Sequence, residues 1–281
     1  MDLRWCLVSF LFFFFLCGGR AAGDYKVIGG RAAALGYTSV AQYDAWSAFN
    51  NQAGLAWCRN FSAGAYFENR YLLKEFSLKA LAVTLPVGKG AFGVTIRQFG
   101  FSLYSELNTG VGYGLRLSKN FSAGIQVDFM HLHVGDNFQD KNLFTFEIGL
   151  QYHSGEHLWL GFHAANPWPV KLSSLTNERL PTLMRLGLSW RMTEGLYSNL
   201  EVEKDLLHRP ALKASIEYRP VKVLTMRIGF LSNPTTFTFG FGLAFGNVEF
   251  DIASSYHLVL GYSPQASVSY IFGKAKKKGN K

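Results

Sequence analysis

The chain has 281 residues, a formal net charge of +9, 29 glycines and an aromatic content of 16%. Beyond the N-terminus it has no apolar run of about 18 residues, which excludes a protein built from membrane-spanning helices. Much of the positive charge lies in residues 274–281, and we interpret it as a solvated basic tail rather than a nucleic-acid-binding surface. The aromatic and glycine content favours a lipid-facing surface.

Residues 1–22 are predicted to be a signal peptide. Arg4 provides a basic start, an apolar run follows, and small residues end the segment. Two of the three cysteines lie in it, so Cys58 has no disulfide partner in the mature chain. A lipid anchor at Cys17 is the less favoured alternative, because the bulky Leu16 precedes it.

Residues 23–58 precede the first strand and break the pattern that follows. They are rich in glycine and alanine, which allow a backbone segment to pack closely against its surroundings. We therefore expect this segment to fold into the lumen of the structure that the rest of the chain forms.

From residue 60 onward, apolar side chains recur at every second position, a period that is typical of β-strands. The class predicted is all-β, a 14-stranded antiparallel transmembrane β-barrel over residues 59–273. The predicted strands are 60–68, 75–85, 91–99, 107–117, 121–133, 143–152, 158–165, 182–191, 196–204, 211–218, 223–231, 236–243, 248–254 and 265–272.

The connections between these strands alternate in length. Tight turns alternate with longer loops, such as 135–142, 166–180 and 255–263, and the long loops fall on one side. This sorting is typical of a multi-pass barrel in the outer membrane with both termini in the periplasm. Outer-membrane lipids and lipopolysaccharide are its expected surroundings.

The second face of the strands carries charges of both signs, which would be costly against lipid and are therefore placed in the lumen. We favour a plug of paired side chains over a selectivity path because the signs are balanced. The predicted network comprises Arg185, Arg191, Glu201, Glu203, Lys213, Glu217, Arg227, Glu249 and Asp251.

The segment before the first strand contains two short motifs. They are formed by Gly29, Arg31, Ala32, Leu35 and Gly36, and by Asn51, Ala53, Gly54, Leu55 and Ala56. Together they resemble the N-terminal signature of FadL-like outer-membrane barrels, closest to the PorV-like branch of Bacteroidetes-type bacteria. Gln52 and Tyr37 replace the usual Pro and Gly. The resemblance implies fourteen strands and a hatch in the periplasmic mouth.

The resemblance leaves two functions open. The first is an accessory subunit of an outer-membrane protein secretion or barrel-assembly machine, in complex with another outer-membrane protein. The alternative is a FadL-like transporter of hydrophobic small molecules. We favour the accessory subunit because the outer loops are short and contain few apolar residues.

No catalytic site, metal site or cofactor is predicted. His131 and His133 have a spacing that could hold a metal, but no third ligand is close in the sequence. Asp136, Asn137 and Asp140 are a weaker candidate for a cation site that bridges lipopolysaccharide. We expect the histidines to form ordinary hydrogen bonds at the rim.

Overall fold

A computed structural model describes residues 27–135, 140–168, 170, 179–206 and 209–273. Within them the chain forms a closed antiparallel barrel in which β1 pairs with both β2 and β14. This confirms the predicted fold class and all fourteen strands. The strands are β1 (Ser62–Asn69), β2 (Ser77–Val87), β3 (Gly90–Phe101), β4 (Tyr104–Arg116), β5 (Phe121–Val134), β6 (Lys141–Ser154), β7 (Leu158–Ala165), β8 (Leu183–Thr193), β9 (Leu196–Asp205), β10 (Ala211–Val221), β11 (Leu224–Ser232), β12 (Thr235–Phe245), β13 (Val248–His257) and β14 (Gly261–Ile271).

The two ends of the barrel differ in their connections. At the tight-turn end, where β1 begins and β14 ends, short turns such as 88–89 and 246–247 join the strands. The long-loop end carries the connection 166–182, although its turns 102–103 and 233–234 are as short as those of the other end. The prediction of a long loop at 255–263 was wrong, because β13 and β14 continue to pair up to the turn 258–260. The apolar residues of that turn interrupted the alternation and hid the ends of both strands.

The outward face of the barrel is apolar. On β12, Phe237, Phe239 and Phe241 are 46–51% exposed, whereas Thr236 and Thr238 on the other face are buried. The same alternation runs along the other strands, as the sequence predicts. A closed barrel with such a surface satisfies its backbone hydrogen bonds internally and is suited to face lipid. No helix among the described residues is long and apolar enough to cross a membrane.

Residues 27–58, here called the hatch segment, lie inside the barrel. They form two short helices, α1 (Gly30–Ala34) and α2 (Ser47–Asn50), followed by a 3-10 helix at Gln52–Trp57. Most of the segment is buried, and its large apolar side chains, such as Ile28, Leu35 and Leu55, are among the most deeply buried in the structure. The predicted signal peptide and basic tail lie outside the described residues.

Candidate functional site in the barrel lumen

The hatch segment packs against inward-facing glycines of the wall. A Cβ atom at Gly124 would overlap the backbone of Gln52, and one at Gly149 would overlap the side chain of Asn51. A backbone can approach a strand this closely only where the strand has no side chain. The glycines that meet the hatch segment in this way are Gly64, Gly93, Gly114, Gly124, Gly149, Gly161, Gly187, Gly229 and Gly240.

An ion-pair chain connects the hatch segment to β10, β11 and β13. Glu217 accepts hydrogen bonds from Arg31 Nε at 2.9 Å and from Arg227 Nε at 2.7 Å. Arg227 Nη1 also donates to Asp251 Oδ1 at 2.6 Å, and Arg31 Nη1 lies 3.4 Å from Asp44 Oδ2. Glu217 is 1% exposed, so this pairing compensates the burial of its charge.

Glu201 forms a second anchor on β9. Its Oε2 atom accepts hydrogen bonds from the backbone N–H groups of Ser39 at 2.8 Å and Val40 at 3.0 Å. Lys213 Nζ donates to Glu201 at 2.9 Å and to Glu203 at 2.7 Å. One carboxylate therefore holds both the hatch backbone and a buried cation of the wall.

A third anchor uses residues that the sequence prediction mostly missed. Gln52 Nε2 donates to Glu147 Oε2 at 2.6 Å, and His163 Nε2 lies 2.9 Å from the same oxygen. Arg185 Nη2 lies 2.8 Å from His163 Nδ1. Because the guanidinium can only donate, His163 accepts at Nδ1 and carries its proton on Nε2. Of these four residues, only Arg185 belongs to the predicted network.

The other predicted residues lie in different settings. Arg191 is at the tight-turn end, 3.5 Å from Glu156 and 3.9 Å from Glu194, both of which are exposed. Glu249 is half-buried near the same end of β13. Arg191 therefore pairs at the rim, outside the three anchors.

The motif residues of the hatch segment have structural roles. Asn51 Oδ1 accepts a hydrogen bond from the N–H of Ala53 at 3.1 Å, which caps the 3-10 helix, and its Nδ2 donates to Val40 O at 2.6 Å. Gly36 has a φ of 62° and lies against the backbone of Phe230, so a side chain there would be strained. Four further motif residues are buried, namely Gly29, Ala32, Gly54 and Leu55, and Arg31 is partly buried.

Aromatic side chains of the hatch segment and of the wall cluster at the tight-turn mouth. Trp159 stacks on His153 with ring centroids 3.4 Å apart and on Tyr43 at 4.6 Å. Trp57 contacts His153 edge to face, and the Arg116 guanidinium lies over its ring at 5.4 Å. These rings form one cluster that packs the hatch segment against β4, β6 and β7 at the tight-turn mouth.

The long-loop side of the lumen retains a cavity of about 110 Å³. Val27 and Tyr37 of the hatch segment form its floor, and Tyr71 and His257 come from the rim. A second cavity of about 20 Å³, beside Arg185, has room for roughly one water molecule. The hatch segment thus crosses the lumen and reaches beyond the mouth in which the resemblance placed it.

An apolar cluster lies elsewhere in the long-loop half. Met130 and Leu132 of β5 are buried with Leu180 from the β7–β8 connection. Tyr104 and Val170 pack against them. This half of the barrel therefore contains a buried apolar cluster and, separately, a polar cavity.

The candidate metal site is not formed by the described residues. His133 Nδ1 lies 2.6 Å from Asp140 Oδ1, and His131 Nδ1 lies 2.8 Å from Asn142 Oδ1. Across the described ranges no three His, Cys, Asp or Glu side chains are placed to hold a metal ion. Asp136 and Asn137 lie outside these ranges.

No family model matches the chain, and no curated protein matches its sequence. Solved structures match its fold. The Ralstonia pickettii toluene transporter TbuX has a TM-score of 0.68 and 14% identity, covering 88% of this chain and 98% of that chain. The Pseudomonas putida toluene transporter TodX gives 0.66 and 14%, covering 90% and 99%.

A Pseudomonas aeruginosa FadL homologue has a TM-score of 0.63 and 13% identity, covering 90% of this chain and 99% of that chain. At these identities the likeness concerns the fold. The barrel is thus similar in architecture to FadL-type outer-membrane barrels, as the sequence motifs predict, while the PorV-like branch stays a prediction.

Proposed function

We propose that this chain is an outer-membrane channel for small, poorly water-soluble molecules, with the hatch segment as its gate. The observation that supports this proposal is a lumen occupied by the non-covalently held hatch segment, in a barrel whose fold is similar to that of two toluene transporters. This favours the transporter alternative over the accessory subunit preferred from sequence alone.

The barrel surface supports a location in the outer membrane. Strands of 10–11 residues, such as β12 and β13, span roughly the 25 Å apolar band of such barrels when tilted. We place the tight-turn end, where β1 begins and β14 ends, in the periplasm, because short turns are usual on that side.

Passage through the lumen requires the hatch segment to move. Glycines fit its backbone and carboxylates hold it, so it is attached by contacts that can break and re-form. A molecule could enter from the long-loop end, where Tyr71 and His257 of the rim line the larger cavity.

A reversible disulfide tests the gate directly. Thr38 Oγ1 of the hatch segment and Ser215 Oγ of β10 are 2.8 Å apart, so paired cysteines there can reach bonding geometry. The variant Thr38→Cys/Ser215→Cys in a Cys58→Ser background is expressed in a bacterial host, and uptake of labelled toluene by whole cells is measured against vector-only cells.

We expect oxidation to abolish the added uptake and a reductant to restore it. The two single-cysteine variants, treated identically, are the matched controls and should transport in both states. Equal uptake by the locked and reduced forms would show that the hatch segment is not the gate. Uptake no greater than in vector-only cells would overturn the channel itself.

The small cavities keep the accessory-subunit function as a second candidate. A lumen with spaces of about 110 and 20 Å³ is largely filled, as in a barrel that serves as a partner for another protein. This function predicts a stoichiometric outer-membrane partner after mild detergent extraction. A monodisperse, partner-free barrel would contradict it.

A further inference from the structure

The cavity on the long-loop side is lined mainly by polar and charged side chains. We propose that it binds an uncharged, hydroxyl-bearing molecule of about the size of one aromatic ring. The inference rests on the proposed channel and adds a selective binding site to it. A volume of about 110 Å³ is in the range of an engineered protein cavity of about 150 Å³ that accepts benzene, so a single ring sets the scale.

The cations around the cavity are already paired, which disfavours an anionic ligand. Lys213 Nζ donates to Glu201, Glu203 and the backbone oxygen of Tyr37 at 2.7–3.2 Å, so its three protons are used. Arg70 lies 3.6 Å from Glu68, with its guanidinium over Phe99. These five charged groups sum to about −1, so a carboxylate would be repelled.

His257 supplies a neutral hydrogen-bond donor at the rim. Its Nδ1 atom accepts hydrogen bonds from the N–H groups of Val259 and Leu260, both at 3.1 Å. An Nδ1 atom that accepts is unprotonated, so the ring carries its proton on Nε2. Tyr71 contacts this ring edge to face at 6.1 Å, which adds an aromatic wall.

Glu203 supplies the complementary acceptor. It lines the cavity, and its side chain is 16% exposed, compared with 1% for Glu201. A hydroxyl group can pair with either of these groups, because it donates to a carboxylate and accepts from an imidazole N–H. An amine or a carboxylate can do only one of these in its charged form.

A pure hydrocarbon matches the cavity less well. A hydrocarbon would cover the partly exposed Glu203 carboxylate and the His257 ring without offering either of them a hydrogen-bond partner. A site that hydrogen-bonds a substrate hydroxyl rejects the analogue that lacks it. The cavity therefore discriminates by the hydroxyl group rather than by ring size.

Titration calorimetry on the full chain in detergent tests this with three probes of similar size. Phenol should bind, and toluene and benzoate should each bind at least about tenfold more weakly. Equal or tighter binding of toluene or benzoate would overturn the proposal, as would no heat with phenol.

Cavity variants locate the site. Leu231→Trp places a larger side chain in the cavity wall and should abolish phenol binding, whereas Leu206→Trp, at an exposed position of the same end, should leave it unchanged. His257→Phe should weaken it about tenfold, and His257→Gln, which keeps a donor and an acceptor, should restore much of it. Unchanged binding by Leu231→Trp would place the site elsewhere.

The disulfide-locked barrel separates this proposal from the channel function. The cavity lies on the long-loop side of the hatch segment, and neither Thr38 nor Ser215 lines it. Phenol should therefore bind equally well in the oxidised and reduced forms. Binding without uptake would refute the channel and retain the site, and uptake without phenol binding would refute the site alone.

Discussion

Two arcs of the barrel wall hold the hatch segment through different kinds of interaction. Strands β9 to β13 hold it largely by charge, through Glu201 and through Glu217 with its two arginines, although Gly229 and Gly240 also fit against it. Strands β3 to β7 hold it mainly by shape, through glycines such as Gly124 and Gly149, with Glu147 as a local exception. The charged arc can be weakened at one carboxylate, whereas the glycine arc can be weakened only by adding volume.

The largest expected effect comes from removing the central carboxylate of the charged arc. Glu217→Ala leaves Arg31 and Arg227 buried without their shared partner and should lower the free energy of unfolding by about 3–5 kcal/mol. Urea unfolding in detergent measures this. The matched control Glu156→Ala removes an exposed partner of Arg191 and should change stability by about 0–1 kcal/mol. Equal effects would contradict the charged anchor.

Adding volume to the glycine arc should have an intermediate effect. Gly124→Val drives a side chain into the backbone of Gln52, which should reduce stability by about 1–3 kcal/mol and expose the hatch segment to protease. Limited proteolysis and urea unfolding report the two changes. Ala123→Val, the adjacent residue on the outward face, is the control. A protease-resistant Gly124→Val barrel would show that the fit is looser than described.

Removing a single hydrogen bond between the hatch segment and the glycine arc should have a smaller effect. Gln52→Leu deprives Glu147 of its donor at 2.6 Å but leaves His163 in place, so we expect a loss of about 1 kcal/mol. Gln98→Leu on the outward face should be neutral in the same urea assay. A stabilised Gln52→Leu variant would show that this amide is a cost rather than an anchor.

The smallest effect concerns Cys58, at the end of the hatch segment. Burial raises the pKa of its thiol to about 12, so little thiolate exists at neutral pH. Maleimide labelling of the native protein should be far slower than labelling of the urea-unfolded chain, and Cys58→Ser should leave stability nearly unchanged. Equal labelling rates would show that the hatch segment opens freely at this position.

The sequence predicts the charged arc far better than the glycine arc. Charged side chains alternate with apolar ones along these strands, as at Lys213, Glu217 and Arg227. Because a charged side chain that faces lipid is costly, these residues are expected to face the lumen. A glycine gives no such signal, since it has no side chain to place on either face. The role of a wall glycine depends on which residue of the hatch segment packs against it, as Asn51 packs against Gly149. That contact is determined by tertiary packing.

The same limit explains the missed third anchor. Glu147 alternates with apolar residues along its strand, which favours the lumen face, but nothing in the sequence brings it together with His163 of β7 and Gln52 of the hatch segment. The pairing depends on strand register and on the depth of the hatch segment. Short-range periodicity reports neither of these.

The pairing of β1 with β14 has a kinetic consequence. This seam joins Ala63 to Tyr270, so the ring cannot be completed until the last strand has formed. The hatch segment, which comes first in the chain, must then be enclosed as the ring closes or enter later through the tight-turn mouth. Contacts between such distant residues form slowly. We therefore expect an assembly intermediate in which an open sheet curls around the N-terminal hatch segment. The size of that segment would then determine the circumference at which the sheet closes.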